Sequence, residues 1–185
     1  WDVVELRENL TFISYGFTNP MPESKSGNLM VTAKDVNNGV IDYENARKTT
    51  SEAFEELLTD KSRPKIGDVL LTKDGTLGRL AVVDKEGICI NQSVAVLRPN
   101  EKISSMFLFN MLSSPYYQKT MLDNAGGSTI KHIYITVVDK MKVVKPPLDE
   151  QDAITTVLSK INVQFDIVCR KLSQTQSLKK SLMQD

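Results

Sequence analysis

Two stretches of this 185-residue chain concentrate side chains able to hold phosphates and read bases. The first runs from Lys61-Ser62-Arg63-Pro64-Lys65 through Gly67-Asp68 to Lys73-Asp74-Gly75-Thr76-Leu77-Gly78-Arg79, with five basic and two acidic residues, a local charge of +3. The second, Lys119 to Lys145, carries five lysines against Asp123 and Asp139, again +3, with His132 in addition. Basic loops with hydroxyl, amide and aromatic neighbours can grip a nucleic-acid backbone and present donors and acceptors to base edges. The residues best suited to it are Lys73, Asp74, Thr76 and Arg79 around the Asp74-Gly75 turn, and Ser128, Thr129, Lys131, His132 and Tyr134 in the second stretch. Lys25 and Ser26, in the loop Pro22-Glu23-Ser24-Lys25-Ser26-Gly27, join them. Lys or Arg pairs with guanine or phosphate, Asp accepts from cytosine, and Thr meets a thymine methyl. Charge alone fits a plain solvated surface as well, so the choice needs further signals.

Catalytic signals are sparse. No G-x-x-x-x-G-K-[ST] or G-x-G-x-x-G segment offers a phosphate cradle. One histidine and two cysteines, Cys89 and Cys169, do not make a zinc site, and no G-x-S-x-G elbow surrounds a serine. Cys89 alternates with apolar neighbours in Gly87-Ile88-Cys89-Ile90, the pattern of a buried structural thiol. Glu55-Glu56 and Asp149-Glu150 suit solvated helix faces and helix starts better than paired acid–base work. Neither a metal nor a cofactor is expected on this chain. An enzyme using His132 as acid or base is the weakest of the readings weighed.

The whole chain balances 23 Lys and Arg against 23 Asp and Glu, which argues against a stand-alone binder driven by charge. Two cysteines cannot build a disulfide framework, so a reducing cytoplasm is the expected home. No apolar run approaches the roughly 20 residues a membrane-spanning helix needs. The opening Trp1-Asp2-Val3-Val4-Glu5 reads as the start of a trimmed fragment of a longer chain.

These loops need a scaffold, and the texture of the chain changes at Pro146-Pro147. Residues 1–147 mix short apolar runs with turn residues. Strands are expected at Leu29–Thr32, Asp68–Thr72, Leu80–Val83, Gly87–Ile90, Ser93–Arg98 and Met141–Val144. Helices are expected at Ser51–Thr59, with Thr49 and Glu52 at capping-box spacing, and at Ser104–Leu112 and Pro115–Leu122, with a short turn from Ile135 to Lys140. Asp74-Gly75 reads as a tight turn between the second and third strands.

Residues 148–185 contain no Gly or Pro, start with Asp149-Glu150 and end near Lys179-Lys180, all marks of one long helix. Ile154, Leu158, Ile161, Phe165, Val168 and Leu172 recur at steps of 4, 3, 4, 3 and 4, and the register continues through Thr175 and Lys179 to Leu182. That is a coiled-coil seam. A rod of this length would extend about 54 Å at 1.5 Å per residue and would need a partner helix to cover its stripe. A helix packed on its own globule is the alternative.

The order of these segments resembles a known family. Lys65-Ile66-Gly67-Asp68-Val69-Leu70-Leu71-Thr72, then Gly75 and Gly78, then Asn91-Gln92-Ser93-Val94-Ala95-Val96-Leu97-Arg98-Pro99, is similar to the target recognition domain of a type I restriction–modification specificity subunit. So are Gly126-Gly127-Ser128-Thr129-Ile130-Lys131-His132-Ile133 and the junction Val143-Val144-Lys145-Pro146-Pro147-Leu148-Asp149-Glu150-Gln151, where a proline pair and an acidic-Gln dipeptide open a spacer helix.

The resemblance implies an α+β globule, 1–147, with a twisted, partly barrel-like sheet, followed by a coiled-coil spacer helix, 148–185. It implies a non-catalytic reader of one half of a bipartite double-stranded DNA site. Its partners would be a modification (methyltransferase) subunit, which carries S-adenosylmethionine, a restriction subunit, and a second specificity half or a second copy joined through the helix. A bacterial or archaeal cytoplasm follows. The contrasting reading is a protein-interaction scaffold that assembles through the helix and never meets DNA.

Overall fold

The computed structural model describes residues 1–37, 39–127 and 131–183, with the side chains of Asp166 and Leu182 outside that description. Twelve strands and five α-helices are found among the described residues. The chain opens with β1 (Asp2–Glu5), β2 (Leu10–Tyr15), β3 (Glu23–Ser24), β4 (Asn28–Val31), the small hairpin β5 (Val36–Asn37) and β6 (Val40–Ile41), and β7 (Arg47–Thr49). After α1 (Ser51–Leu57) come β8 (Val69–Thr72), β9 (Leu80–Val82), β10 (Ile88–Ile90) and β11 (Val94–Pro99). Then follow α2 (Ser105–Ser113), α3 (Pro115–Asp123), α4 (Ile135–Asp139), β12 (Lys142–Lys145) and α5 (Leu148–Leu182).

The architecture is α+β, built on two four-stranded sheets. One, in the order β2-β11-β8-β9, is antiparallel throughout. The other, β10-β4-β7-β3, has one parallel pair, β10 with β4. β1 pairs with β12, bringing the chain's start beside the foot of α5. The two larger sheets lie over a shared core; a single bridge, Phe17 with Asn91, links the ends of β2 and β10, and another, Gly39 with Ala81, ties the β5–β6 hairpin to β9.

Strand alternation explains why the first sheet sits at the centre. Val94 and Val96 of β11, with Leu70 of β8, face the second sheet and the β5–β6 hairpin, against Leu29, Val31, Val36 and Ile41. Ala95 and Leu97, with Val69 and Leu71, face the opposite way, against Phe107, Leu108, Met111, Leu112 and Met121 of α2 and α3. Val94 through Leu97 are fully buried, as expected for a strand covered on both faces. The second sheet alternates likewise, with Met30 and Cys89 turned outward under Phe54 of α1.

An ion pair locks the central sheet. Arg98 Nε and Nη2 donate to Asp68 Oδ1 and Oδ2 at 2.9 and 2.8 Å, and Asp68 Oδ2 also accepts from Lys65 N. Asp68 holds Arg98 above its ordinary pKa, mainly through these hydrogen bonds. The Gly-Asp step of the sequence is therefore structural.

Several element boundaries differ from expectation. The cap of α1 is Thr50, whose Oγ1 accepts from Ala53 N at 3.1 Å, because Thr49 is spent as the last residue of β7. The connection from β8 to β9 is a seven-residue loop and not a tight hairpin. Thr72 holds its base: Thr72 Oγ1 donates to Thr76 O and accepts from Arg79 N. Gly78 in that loop has φ +82°, a backbone conformation that favours glycine.

α5 has 35 residues, about 52 Å at 1.5 Å per residue. Its foot is clamped. Gln151 is completely buried; its Nε2 donates to Lys102 O and Pro146 O at 2.9 Å each, and its Oε1 accepts from Ser104 N at 2.9 Å. Ile154 is half-buried against the globule's own core. Beyond Thr155 every described side chain of the helix is exposed, so the rod leaves the globule within two turns.

Candidate nucleic-acid interface

The β8–β9 loop and residues 131–134 are far apart in sequence but stitched together. Ile133 N donates to Lys73 O at 2.9 Å, and Asp74 and His132 face each other across an antiparallel bridge. His132 Nδ1 lies 2.6 Å from Asp74 Oδ1. An ionised carboxylate can only accept, so Nδ1 carries the proton and Nε2 is the ring atom left outward. Asp74 Oδ2 accepts from Lys73 Nζ at 2.7 Å, and that ammonium also sits 5.3 Å from the centre of the Tyr15 ring. Tyr134, half exposed, packs over Gly126, where an added Cβ would lie 2.4 Å from Tyr134 Cε2.

Beside these loops a polar cleft of about 750 Å³ opens between the two sheets, lined by Thr32, Lys34, Asp35, Asn45, Arg47, Asp74, Gly75, Thr76, Asn91 and Ser93. A second hollow of about 270 Å³ shares Thr32, Arg47 and Asn91 with it. A third, of about 620 Å³, shares Phe17 to Met21 with the second and reaches Lys61. Adjacent through these shared residues, the three hollows are taken together as one groove.

The sequence-derived residues distribute unevenly over this surface. Thr76 and Lys131 are exposed, and His132 and Tyr134 stand at the rim with accessible edges. Asp74 has both oxygens engaged, one on Lys73 and one on His132, so its geometry is that of a residue positioning others. Arg79 turns away, its Nη1 donating to Asn37 Oδ1 at 2.7 Å. Lys25 and Ser26 are exposed but lie beyond the Asn28 end of β4, while the cleft lies beyond its Val31 end. Ser128 and Thr129 fall outside the described residues.

Much of the charge excess counted along the chain is neutralised in place. Arg63 donates to the carbonyls of Phe54 and Glu55 and pairs with Glu55. Lys119 pairs with Asp123, Lys142 with Glu5 and Lys145 with Asp2. Besides Lys61 at one end, the groove draws cations from segments outside both basic stretches: Lys34 and Arg47, the latter also paired with Glu23. Sequence reading missed Thr32, Lys34, Asn45 and Arg47, since only the pairing of β4 with β7 brings them to the cleft. Asn91 and Ser93 were visible as part of the Asn-Gln-Ser motif but without a role.

The seam residues also separate. Ile154 is anchored in the globule, and Leu158 borders a crevice of about 590 Å³ between α5 and the α2–α3 corner. Ile161, Phe165, Val168 and Leu172 are all exposed, Phe165 to 66%. The side chain of Leu182 lies outside the described residues. Val163, Ile167 and Leu178 add exposed apolar surface on other faces of the rod. Among the described residues no helix is long and apolar enough to cross a membrane.

Comparison with known proteins adds an independent finding. The family model described as Type I restriction modification DNA specificity domain matches residues 19–175. The EcoBI specificity subunit of a type I restriction enzyme from Escherichia coli is 26% identical over 93% of this chain and 36% of its own length. A chain from a structure of complex assembly and conformational transition in the type I R-M system superimposes with a TM-score of 0.77 at 22% identity, covering 98% of this chain and 43% of that one. The HsdS subunit from Thermoanaerobacter tengcongensis gives a TM-score of 0.69 at 21% identity, over 92% of this chain and 39% of its own. Those two likenesses are of fold. The chain thus spans well under half the length of these relatives.

Proposed function

We propose that this chain, which belongs to the type I restriction modification DNA specificity domain family, reads one half of a bipartite double-stranded DNA site through the groove and its stitched loops. α5 then holds that reader at a set distance from a second recognition half or a second copy, joined along the bare stripe from Leu158 to Leu172. In this reading the chain does no covalent chemistry. Methyl transfer belongs to a modification subunit that carries S-adenosylmethionine, cleavage belongs to a restriction subunit, and the assembly works in a bacterial or archaeal cytoplasm.

The observation that carries the reading is one helix with two environments. Its foot is fixed to the globule by Gln151, and its apolar stripe is uncovered from the third turn onward. A rod so rigidly rooted transmits a fixed distance and direction to whatever covers its stripe. The groove supports the other half of the reading. It offers Thr76, Asn91, Arg47 and Lys34 on its walls, with Lys131, His132 and Tyr134 beside the adjoining loop. Such a mixture suits base edges and phosphates together.

Binding of a duplex by the chain assembled with its modification subunit, measured across a salt series, tests the proposal. A DNA-reading surface loses affinity steeply and linearly on logarithmic axes as salt rises, because phosphate contacts release condensed counterions. Binding that is absent, or indifferent to salt, would contradict it.

A further inference from the structure

The cleft contains an amide with only one end available. Asn91 Oδ1 accepts from Ser93 N at 3.2 Å and from Ser93 Oγ at 2.6 Å, and Ser93 Oγ itself accepts from Ala33 N at 3.0 Å. A backbone N–H can only donate, so the atom facing it must be the oxygen, and this fixes the amide's orientation. Asn91 Nδ2 donates to no atom of the described residues. Asn91 is half-buried and lines both the 750 Å³ cleft and the 270 Å³ hollow beside it.

We infer that Asn91 is a specificity-determining residue of this groove, presenting a fixed donor to the exocyclic position of a base's major-groove edge, where it selects a keto oxygen, guanine O6 or thymine O4, over an amino group. The inference rests on the DNA-reading proposal above and adds to it which base chemistry this position takes. An asparagine free to use both ends of its amide pairs with adenine, accepting from N6–H2 and donating to N7. Asn91 cannot do so while Ser93 N and Ser93 Oγ both donate to its oxygen. Arg47 lines the same two hollows and is a donor without acceptor capacity. The groove at this point is therefore biased towards acceptors on the nucleic acid.

Asn91→Asp tests this directly. The substitution keeps an oxygen for Ser93 and replaces the outward donor with an acceptor of nearly the same size. Selection from a randomised duplex library, with the assembled enzyme carrying either form of the chain, reads the preferred half-site. The expected result is a wild-type preference for G or T at one position of one strand, which moves to C or A in Asn91→Asp by about tenfold or more. Asn91→Ser, with no donor of that reach, should relax the same position to no preference, and it provides the readout if the Asp form does not fold. A half-site unchanged in both variants, or a change confined to a position where the wild type selects A or C, overturns the inference while leaving DNA reading intact. A wild-type protein that enriches no sequence overturns the DNA-reading proposal itself.

Discussion

Gln151 Oε1 accepts from Ser104 N at 2.9 Å, joining the first turn of α5 to the N-terminal cap of α2 across 47 residues of chain. The same side chain donates to Lys102 O and Pro146 O, so one buried amide ties three backbone groups at the foot of the rod. Trp1 adds a fourth tie, its Nε1 donating to Glu150 Oε2 at 2.7 Å.

Replacing Gln151 with Ala leaves one donor and two carbonyls, buried or partly buried, without that partner. Buried unsatisfied groups cost about 1–3 kcal/mol each before relaxation and water entry, so a loss on the order of 3 kcal/mol is expected. Chemical denaturation should show a lower midpoint than wild type, while Gln174→Ala on the exposed rod should be neutral. Equal stability of the Gln151 variant and wild type would mean that the clamp contributes nothing.

Phe165 stands in the middle of the uncovered stripe. If another helix covers it, Phe165→Asp removes an apolar side chain whose burial contributes about 2–3 kcal/mol and sets an unpaired charge in the seam. Analytical ultracentrifugation should show the assembly weakened by about 100-fold or more. An unchanged assembly would remove the spacer role of α5.

The loop cluster makes a graded prediction. Lys131→Ala, at the exposed end of the stitched loops, should weaken binding to a specific duplex more than Lys160→Ala, which lies on the rod's surface. Asp74→Ala should also weaken binding, although Asp74 is positioned to hold Lys73 and His132 and not to touch DNA. Equal losses at Lys131 and Lys160 would undo the assignment of the loops.

Cys89 gives the fold a pH signature. Burial pushes its thiol from 9.0 up to about 12, with Arg63 opposing weakly. A group whose folded pKa is raised stabilises the native state fully below its unfolded pKa, and that contribution is lost as pH rises through the folded value. Stability should therefore decline between about pH 9 and pH 12, and Cys89→Ala should flatten that part of the decline. At neutral pH a thiol reagent should label the exposed Cys169 at once and Cys89 only on unfolding.

The long helix and the central strands were legible because each has a period. The seam steps of 4 and 3 and the apolar runs at 69–72 and 94–97 survive without knowledge of the rest of the fold. β3 and β7 were not legible: Glu23-Ser24 and Arg47-Lys48-Thr49 have no apolar alternation and become strands only by pairing with each other and with β4. The site followed the same rule. Thr76, Lys131 and His132 could be proposed from composition, but the capture of Asp74, Lys73 and Arg79 by neighbours distant in sequence could not. Nor could the arrival of Arg47 and Lys34 in the cleft.

Whether this chain reads half of a DNA site can be measured by mapping methylated sites in DNA modified by the assembled enzyme that carries it. The map would be repeated with Thr76 and Lys131 both replaced by Ala. Wild type should mark a site with two separated halves, and the double variant should lose or alter one half while the other half and the spacing stay as they were. A methylation pattern identical in both, or one in which both halves change together, would contradict half-site reading by this chain.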